Sequence, residues 1–281
     1  MEACDPMQLA AHTFGFVWQD SAEAAFETLG AAGFRDVQLM AAPPHFDPWR
    51  DDAPRTTRLR AVIARYGLRV VAGDLASSDI NLASPSSEVV SFAVDAYRRL
   101  VARCAELGAV DVCVGSGRRH ALLARANDRL MESFRPAFRA IVAEARRRGL
   151  GVGLENHPQG LLADAATIRG FLDAEEYRDV GVIYDVANAV AIGEDPVAGL
   201  ATLGPRLRAV HLSDSPLGQW RHDPIGSGEI DFTAIGGELR RQAYEGPVVL
   251  EILSDNPLQG LIEGAQRLVR DGWSFQQGPW S

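Results

Sequence analysis

The sequence predicts an α/β fold, a single-domain (β/α)8 barrel of the TIM type spanning residues 1–281. Three observations predict it. Eight strand-like runs alternate with about eight helix-like segments from end to end, the order expected of parallel strands joined by right-handed crossovers. The strand-like runs are apolar almost throughout, as strands buried on both faces are. Eight such units in 281 residues match the size of a closed barrel. A doubly wound open sheet is the competing topology. No linker rich in Pro, Gly or Ser divides the chain.

The first strand is expected at 8–13 (QLAAHT) and the first helix at 20–32. Asp20 or Ser21 can cap that helix, with Glu23 and Glu27 near its positive end. Strand two (36–41, DVQLMA) leads through a long proline-rich loop, AAPPHFDPWRDDAP, to a helix at 54–66 that opens on Pro54, a residue tolerated in a first turn. Strand three (68–74) precedes a helix at 86–107, and strand four (109–115) a helix at 128–148. Gly33, Gly67, Gly108 and Gly149 each stand where a helix should stop before the next strand. The second half repeats the unit with strands at 151–155, 180–185, 207–212 and 247–252 and helices at 164–174, 196–203, 231–242 and 257–270. The loop after strand seven, SDSPLGQWRHDPIGSGEID, is also long. In a barrel both long loops lie on the catalytic face.

Composition excludes several classes. The 47% hydrophobic content suffices for a large core, and a net charge of −9 argues against nucleic acid or an anionic membrane as partner. The three cysteines, Cys4, Cys104 and Cys113, lack CxxC spacing and suit free thiols in a reducing cytoplasm. The start shows no secretory signal pattern, and no apolar run approaches the roughly 18 residues of a membrane span. A cytoplasmic protein acting on a small molecule is the expectation. GSGRRH (115–120) and GVGLEN (151–156) begin as GxG but lack the third glycine of a dinucleotide fingerprint, and there is no Walker A sequence.

Chemistry concentrates at four strand ends. Glu155, Asp185, His211 and Glu251 close the runs GVGLE, VGVIYD, LRAVH and PVVLE. Alternation along a strand puts each on the face opposite the greasier set Val152/Leu154, Val182/Tyr184, Val210/Leu212 and Leu250/Ile252. All four therefore face the barrel interior at its carboxyl end, where active sites of such barrels lie. Three acids and a histidine there are desolvated at high cost unless a cation joins them. The donor set suits one divalent metal ion, Mn, Mg, Co or Zn, and the lack of a cysteine argues against a structural zinc site. Two glutamates beside a carbonyl-polarising ion invite a two-base proton transfer. His12 after strand one and His45 in the loop after strand two are candidate substrate contacts.

The segments GLENHP (153–158), YDVAN (184–188), VHLSD (210–214), PIGSGEIDF (224–232) and LEI (250–252) resemble the xylose isomerase-like TIM barrels, a group of sugar isomerases and epimerases, inosose dehydratases and endonuclease IV. The resemblance implies that Glu155, Asp185, His211 and Glu251 hold one divalent metal. It also implies that Glu155 and Glu251 exchange the substrate proton through an enediolate, that Arg221 contacts substrate, and that the chain forms a homodimer or homotetramer. The chain departs from the ketose epimerase pattern at two positions: Asn188 stands where a histidine is usual, and Leu161 where a further glutamate is usual. Asn188 is retained as a substrate-binding candidate. His157 lies in a Glu-x-His-Pro stretch similar to that of dehydroshikimate lyases and is a candidate acid–base group. The expected function is a metal-dependent isomerase or epimerase of a small keto-sugar, sugar phosphate or related hydroxy-carbonyl compound. The alternative is a lyase of the inosose or 3-dehydroshikimate dehydratase type. The trinuclear site of endonuclease IV needs more histidines than a chain with six in total supplies.

Overall fold

The computed structural model describes residues 6–50, 53–76, 80–120, 122–123, 126–175 and 177–278. Cys4 and part of the loop after the second strand lie outside them. Eight parallel strands close into one barrel in sequence order, with β8 (Pro247–Leu250) pairing β1 (Gln8–His12). Between them run β2 (Asp36–Ala41), β3 (Arg69–Leu75), β4 (Asp111–Gly115), β5 (Gly151–Glu155), β6 (Gly181–Asp185) and β7 (Leu207–Leu212). The open-sheet alternative is thereby excluded. The helices are α1 (Ala22–Ala31), α2 (Ala53–Tyr66), α3 (Ser87–Glu106), α4 (Asn127–Arg147), α5 (Ala165–Ala174), α6 (Val186–Ala191), α7 (Pro196–Leu203), α8 (Phe232–Arg241) and α9 (Pro257–Arg270). Among the described residues no helix is long and apolar enough to cross a membrane.

Most expected boundaries hold within two residues, and the reasons are local. Ser21, Ser86, Asp164, Asp231 and Asn256 each accept a backbone N–H of the helix they open, satisfying donors that have no partner within the helix. Gly67 and Gly149, with φ of 61° and 74°, follow α2 and α4 in the left-handed region. Two differences matter for the site. The short α6 is not among the helices the sequence predicts: six residues are too few to show a helical period, and its cap is the buried Asp185. The last strand ends at Leu250, so Glu251 sits one residue beyond it rather than inside it.

Two cores result from the alternation. Outward-facing strand residues such as Val152, Leu154, Val182, Val210 and Leu250 merge with the helices into one cluster. Inward-facing Ala10, Val71, Cys113, Ile183, Ala209 and Val249 form a separate plug inside the barrel. At the amino-terminal end, Arg208 and Asp111 pair at 2.7 Å. A Cβ on Gly151 or Gly181 would run into this pair or the Arg208 stem, so only glycine fits. The amino end is thus filled with side chains, and open space remains at the carboxyl end, where Glu155, Asp185, His211 and Glu251 emerge.

Candidate active site

Register brings the four residues together. Asp185 is level with His211 across β6 and β7, and His211 with Val249, two residues before Glu251. Glu155 ends β5 beside Ile183. One ligand-capable atom from each of Glu155, Asp185, His211 and Glu251 lies within 4.8 Å of the others. His211 Nδ1 is 2.9 Å from Glu251 Oε2 and 3.3 Å from Glu155 Oε1. Its Nε2 lies 3.0 Å from the carbonyl-type Oε1 of buried Gln38, which accepts, so Nε2 carries the proton and Nδ1 is left to face the acids. Asp185 spends Oδ1 as the cap of α6, on the Asn188 N–H, while its Oδ2 is buried without a partner. An orphaned carboxylate oxygen facing two glutamates and an imidazole nitrogen is the arrangement a divalent cation completes, so the residues fit such an ion.

The electrostatics follow from burial. Desolvation raises Asp185 to about 7 despite the histidines nearby. Glu251 goes the other way: burial opposes its charge, but His12 and His211 hold it well below the ordinary range. Burial also opposes protonation of His211, yet Glu251 and Glu155 raise it well above 6.5. Without a cation, protons take up part of the neutralisation.

Several supports were not foreseen. Asn156 places its side chain between β5 and β6, accepting the Asp185 N–H at 2.7 Å and donating to the Asp185 carbonyl at 2.9 Å. This fixes the aspartate's backbone where the ladder ends. The Cys113 thiol, kept protonated by burial, reaches Glu155 Oε2 at 3.6 Å. His12 Nδ1 accepts the Phe14 N–H, so Nε2 donates to Asp74 Oδ2 at 3.1 Å, and the same nitrogen lies 4.0 Å from Glu251 Oε1. Burial raises Asp74, and Asp74 in turn raises His12, so the pair retains a proton. Gln38 and Asp74 both lie within expected strands, and each interrupts an apolar run. That is the signal that picked out Asp185 and could have picked them out too.

A cavity of about 550 Å³ opens over this cluster, with Glu155, Glu251, Asp74, His157, Asn188 and His222 supplying its polar lining. His157 accepts the Gln159 N–H on Nδ1, which leaves Nε2 as its donor; burial lowers its pKa and keeps the ring neutral. Its ring stands edge-on to Trp220 at 4.7 Å. Asn188 lines the cavity with its amide partly engaged: Oδ1 accepts the Trp220 indole N–H at 2.7 Å and Nδ2 donates to the Asn156 carbonyl at 3.0 Å. His222 lies 3.7 Å from Asp185 Oδ2 and is braced by Ser213. The loop that presents Trp220 and His222 is organised by buried Asp214, whose carboxylate accepts the N–H groups of Ser215, Gly226 and Ile230.

Two expected substrate contacts are placed elsewhere. His45 is fully buried, one ring nitrogen on the Asp20 carbonyl and the other on the Thr13 hydroxyl, and it does not line the cavity. It braces the turn after β1. Arg221 turns outward to pair with Asp223 at 2.7 Å and is also absent from the lining, although its neighbours on both sides are present. His12 is a strand residue beneath the cavity, in contact with Asp74 and near Glu251.

Fold and site together define a TIM barrel with a carboxylate–histidine cluster at its carboxyl mouth. The chain belongs to the xylose isomerase-like TIM barrel family, whose sequence model matches residues 26–271. It is similar to a ketose 3-epimerase of Arthrobacter globiformis, 24% identical over 277 residues and covering 95% of this chain and 91% of that protein. It is also similar to a probable endonuclease 4 of Symbiobacterium thermophilum, 29% identical over 250 residues and covering 81% and 87%. Among solved structures, a D-tagatose 3-epimerase-like protein superposes with a TM-score of 0.82 at 20% identity over 94% of this chain and 97% of that one. An L-ribulose 3-epimerase superposes with 0.79 at 19% identity, covering 94% of each.

Proposed function

We propose that this chain is a divalent-metal-dependent epimerase or isomerase of a small hydroxyketone. The observation that carries the reading is that Glu155 and Glu251, both in the ligand-capable cluster, also both line the one cavity above it. Glu155, Asp185, His211 and Glu251 would hold the ion, which would polarise a carbonyl and its neighbouring hydroxyl. One glutamate then takes the proton from the carbon beside the carbonyl, and the other returns a proton to the opposite face. Burial opposes its charge, but His12 and His211 keep Glu251 in its charged form, the form in which a carboxylate can accept a proton. A lysine Schiff base is unavailable, since the sequence has 28 arginines and no lysine. The similarity to the ketose 3-epimerase and to L-ribulose-5-phosphate 3-epimerases supports the same class. The net charge of −9 weighs against the endonuclease likeness.

Glu251→Gln should abolish uptake of solvent deuterium into a ketose panel while the circular dichroism spectrum is retained. Unchanged exchange would remove Glu251 from proton transfer. His157 favours a second reading, a lyase: its Nε2–H on the cavity wall could protonate a departing β-hydroxyl. Appearance of an ultraviolet-absorbing dehydration product from inosose, or of an aromatic dihydroxybenzoate from dehydroshikimate, lost in His157→Phe, would select it.

A further inference from the structure

The cavity has two unlike halves. Every group with acid–base or ligand chemistry on its lining, Asp74 excepted, comes from β5 to β8 and the loops that follow them. The half built by β1 to β3 and their loops is apolar: Val17, Trp18, Met40, Trp49, Leu75 and Ile80. Two side-chain polar atoms of this half, Asp74 Oδ1 and Trp49 Nε1, have no partner, but both are buried rather than open to the cavity. Among the described residues no arginine lines the cavity, and the chain has no lysine. Asp74, Glu155 and Glu251 instead give the lining three carboxyl groups.

Resting on the proton-transfer reading above, we propose that the substrate is an uncharged hydroxyketone, free of phosphate, whose end remote from the carbonyl carries an apolar substituent that lies on the β1–β3 wall. The reacting carbons must sit over Glu155 and Glu251, so the rest of the molecule is directed onto that wall. A polyhydroxy chain there would lose water from several hydroxyls and find few side-chain partners to replace it. A phosphate on the remote end would lose water with no arginine or lysine on the lining to meet it and the Asp74 carboxyl nearby. An apolar group loses nothing and gains burial against three tryptophan rings' worth of surface, Trp220 closing the far side. At about 550 Å³ the cavity is in the range that encloses drug-sized ligands.

The test uses the full chain loaded with Mn and calorimetric binding of matched series. Fructose, tagatose, psicose and sorbose are each offered free, as the 6-phosphate and as the 6-O-benzyl ether. In the best-binding series the benzyl ether should bind at least about tenfold more tightly than the free ketose, and the phosphate more weakly than either. Trp49→Ser should reduce the benzyl advantage to about threefold or less while the Mn-induced rise in melting temperature is kept; Ile80→Ala reads the same wall should that variant not fold. A phosphate that binds as tightly as the free ketose, or a benzyl ether with no advantage in any series, overturns the proposal. Deuterium uptake separates the two readings. No exchange with any ligand, despite the predicted order of affinities, refutes proton transfer alone; exchange led by the phosphates refutes this inference alone; no binding in any series refutes both.

Discussion

Gln38→Leu isolates the orientation of His211 from its presence. Gln38 Oε1 accepts the His211 Nε2–H at 3.0 Å, and both side chains are fully buried. Without that acceptor the imidazole is free to place its proton on Nδ1, the nitrogen that faces Glu155 and Glu251. Outer-shell partners of this kind are worth about ten- to hundredfold in metal affinity, or about 1.4–2.7 kcal/mol. The effect on folding is smaller. Stranding the buried Nε2–H costs about 1–3 kcal/mol, but leucine also removes Gln38 Nε2, which is buried without a partner, and so offsets much of that. The variant should therefore lose Mn affinity by one to two orders of magnitude in calorimetry while its metal-free melting temperature moves by only a few degrees. Gln38→Glu, which keeps an acceptor, should retain affinity. Mn binding by Gln38→Leu within about twofold of the parent would refute the claim that Gln38 sets the tautomer.

Metal binding should tighten as pH rises. Asp185, raised to about 7, and His211, raised well above 6.5, both hold protons in the metal-free fold that the ion must displace. For both groups the folded state binds protons more tightly than the unfolded chain, so metal-free stability falls with rising pH, for Asp185 between about 4 and 7 and for His211 above 6.5. Melting curves with and without Mn should accordingly diverge from pH 5 to 8, and calorimetry in two buffers at pH 6 should detect more than one proton released per ion. Asp214→Ala removes the acceptor of three loop N–H groups and should lower stability by about 2–4 kcal/mol, with accelerated proteolysis within 215–230. Gly181→Ala, whose Cβ would meet the Arg208 stem and the Arg206 carbonyl, should destabilise by about 1–3 kcal/mol in urea titration yet leave KM unchanged, because it disturbs the amino end alone.

The ligand cluster was legible because strands are periodic. Once four runs were recognised as strands, the alternation of side chains dictated which face Glu155, Asp185, His211 and Glu251 would share, and closure of the barrel did the rest. Loops carry no such rule. His45 and Arg221 stood at the right places in the chain, but a carbonyl and a hydroxyl captured one and an acidic neighbour the other. Gln38 and Asp74 obey the same strand rule, but β2 and β3 carry none of the motifs that mark the second half of the chain. The short α6 left no period to read, and its presence is explained only by Asp185 serving as its cap.

Asn188 and Leu161 departed from the epimerase pattern in the sequence, and their surroundings give the departures a direction. Asn188 has no titratable proton, and its amide is half spent: one N–H and one lone pair of its oxygen tie Trp220 to the backbone of Asn156. Leu161 is buried and brings no carboxylate. Where the epimerase pattern leads one to expect a histidine and a glutamate, this chain has a brace and a core residue. The brace holds an indole against His157, so the rim gains an aromatic surface in place of a polar contact. Fewer polar partners on the β5–β6 rim and an apolar wall on β1–β3 act in the same sense. Under the proposed function, each would lower the number of substrate hydroxyls that can be satisfied without touching the residues proposed to move the proton. Selection for a less polar substrate can therefore proceed at the rim and the wall while Glu155, Asp185, His211 and Glu251 stay as they are.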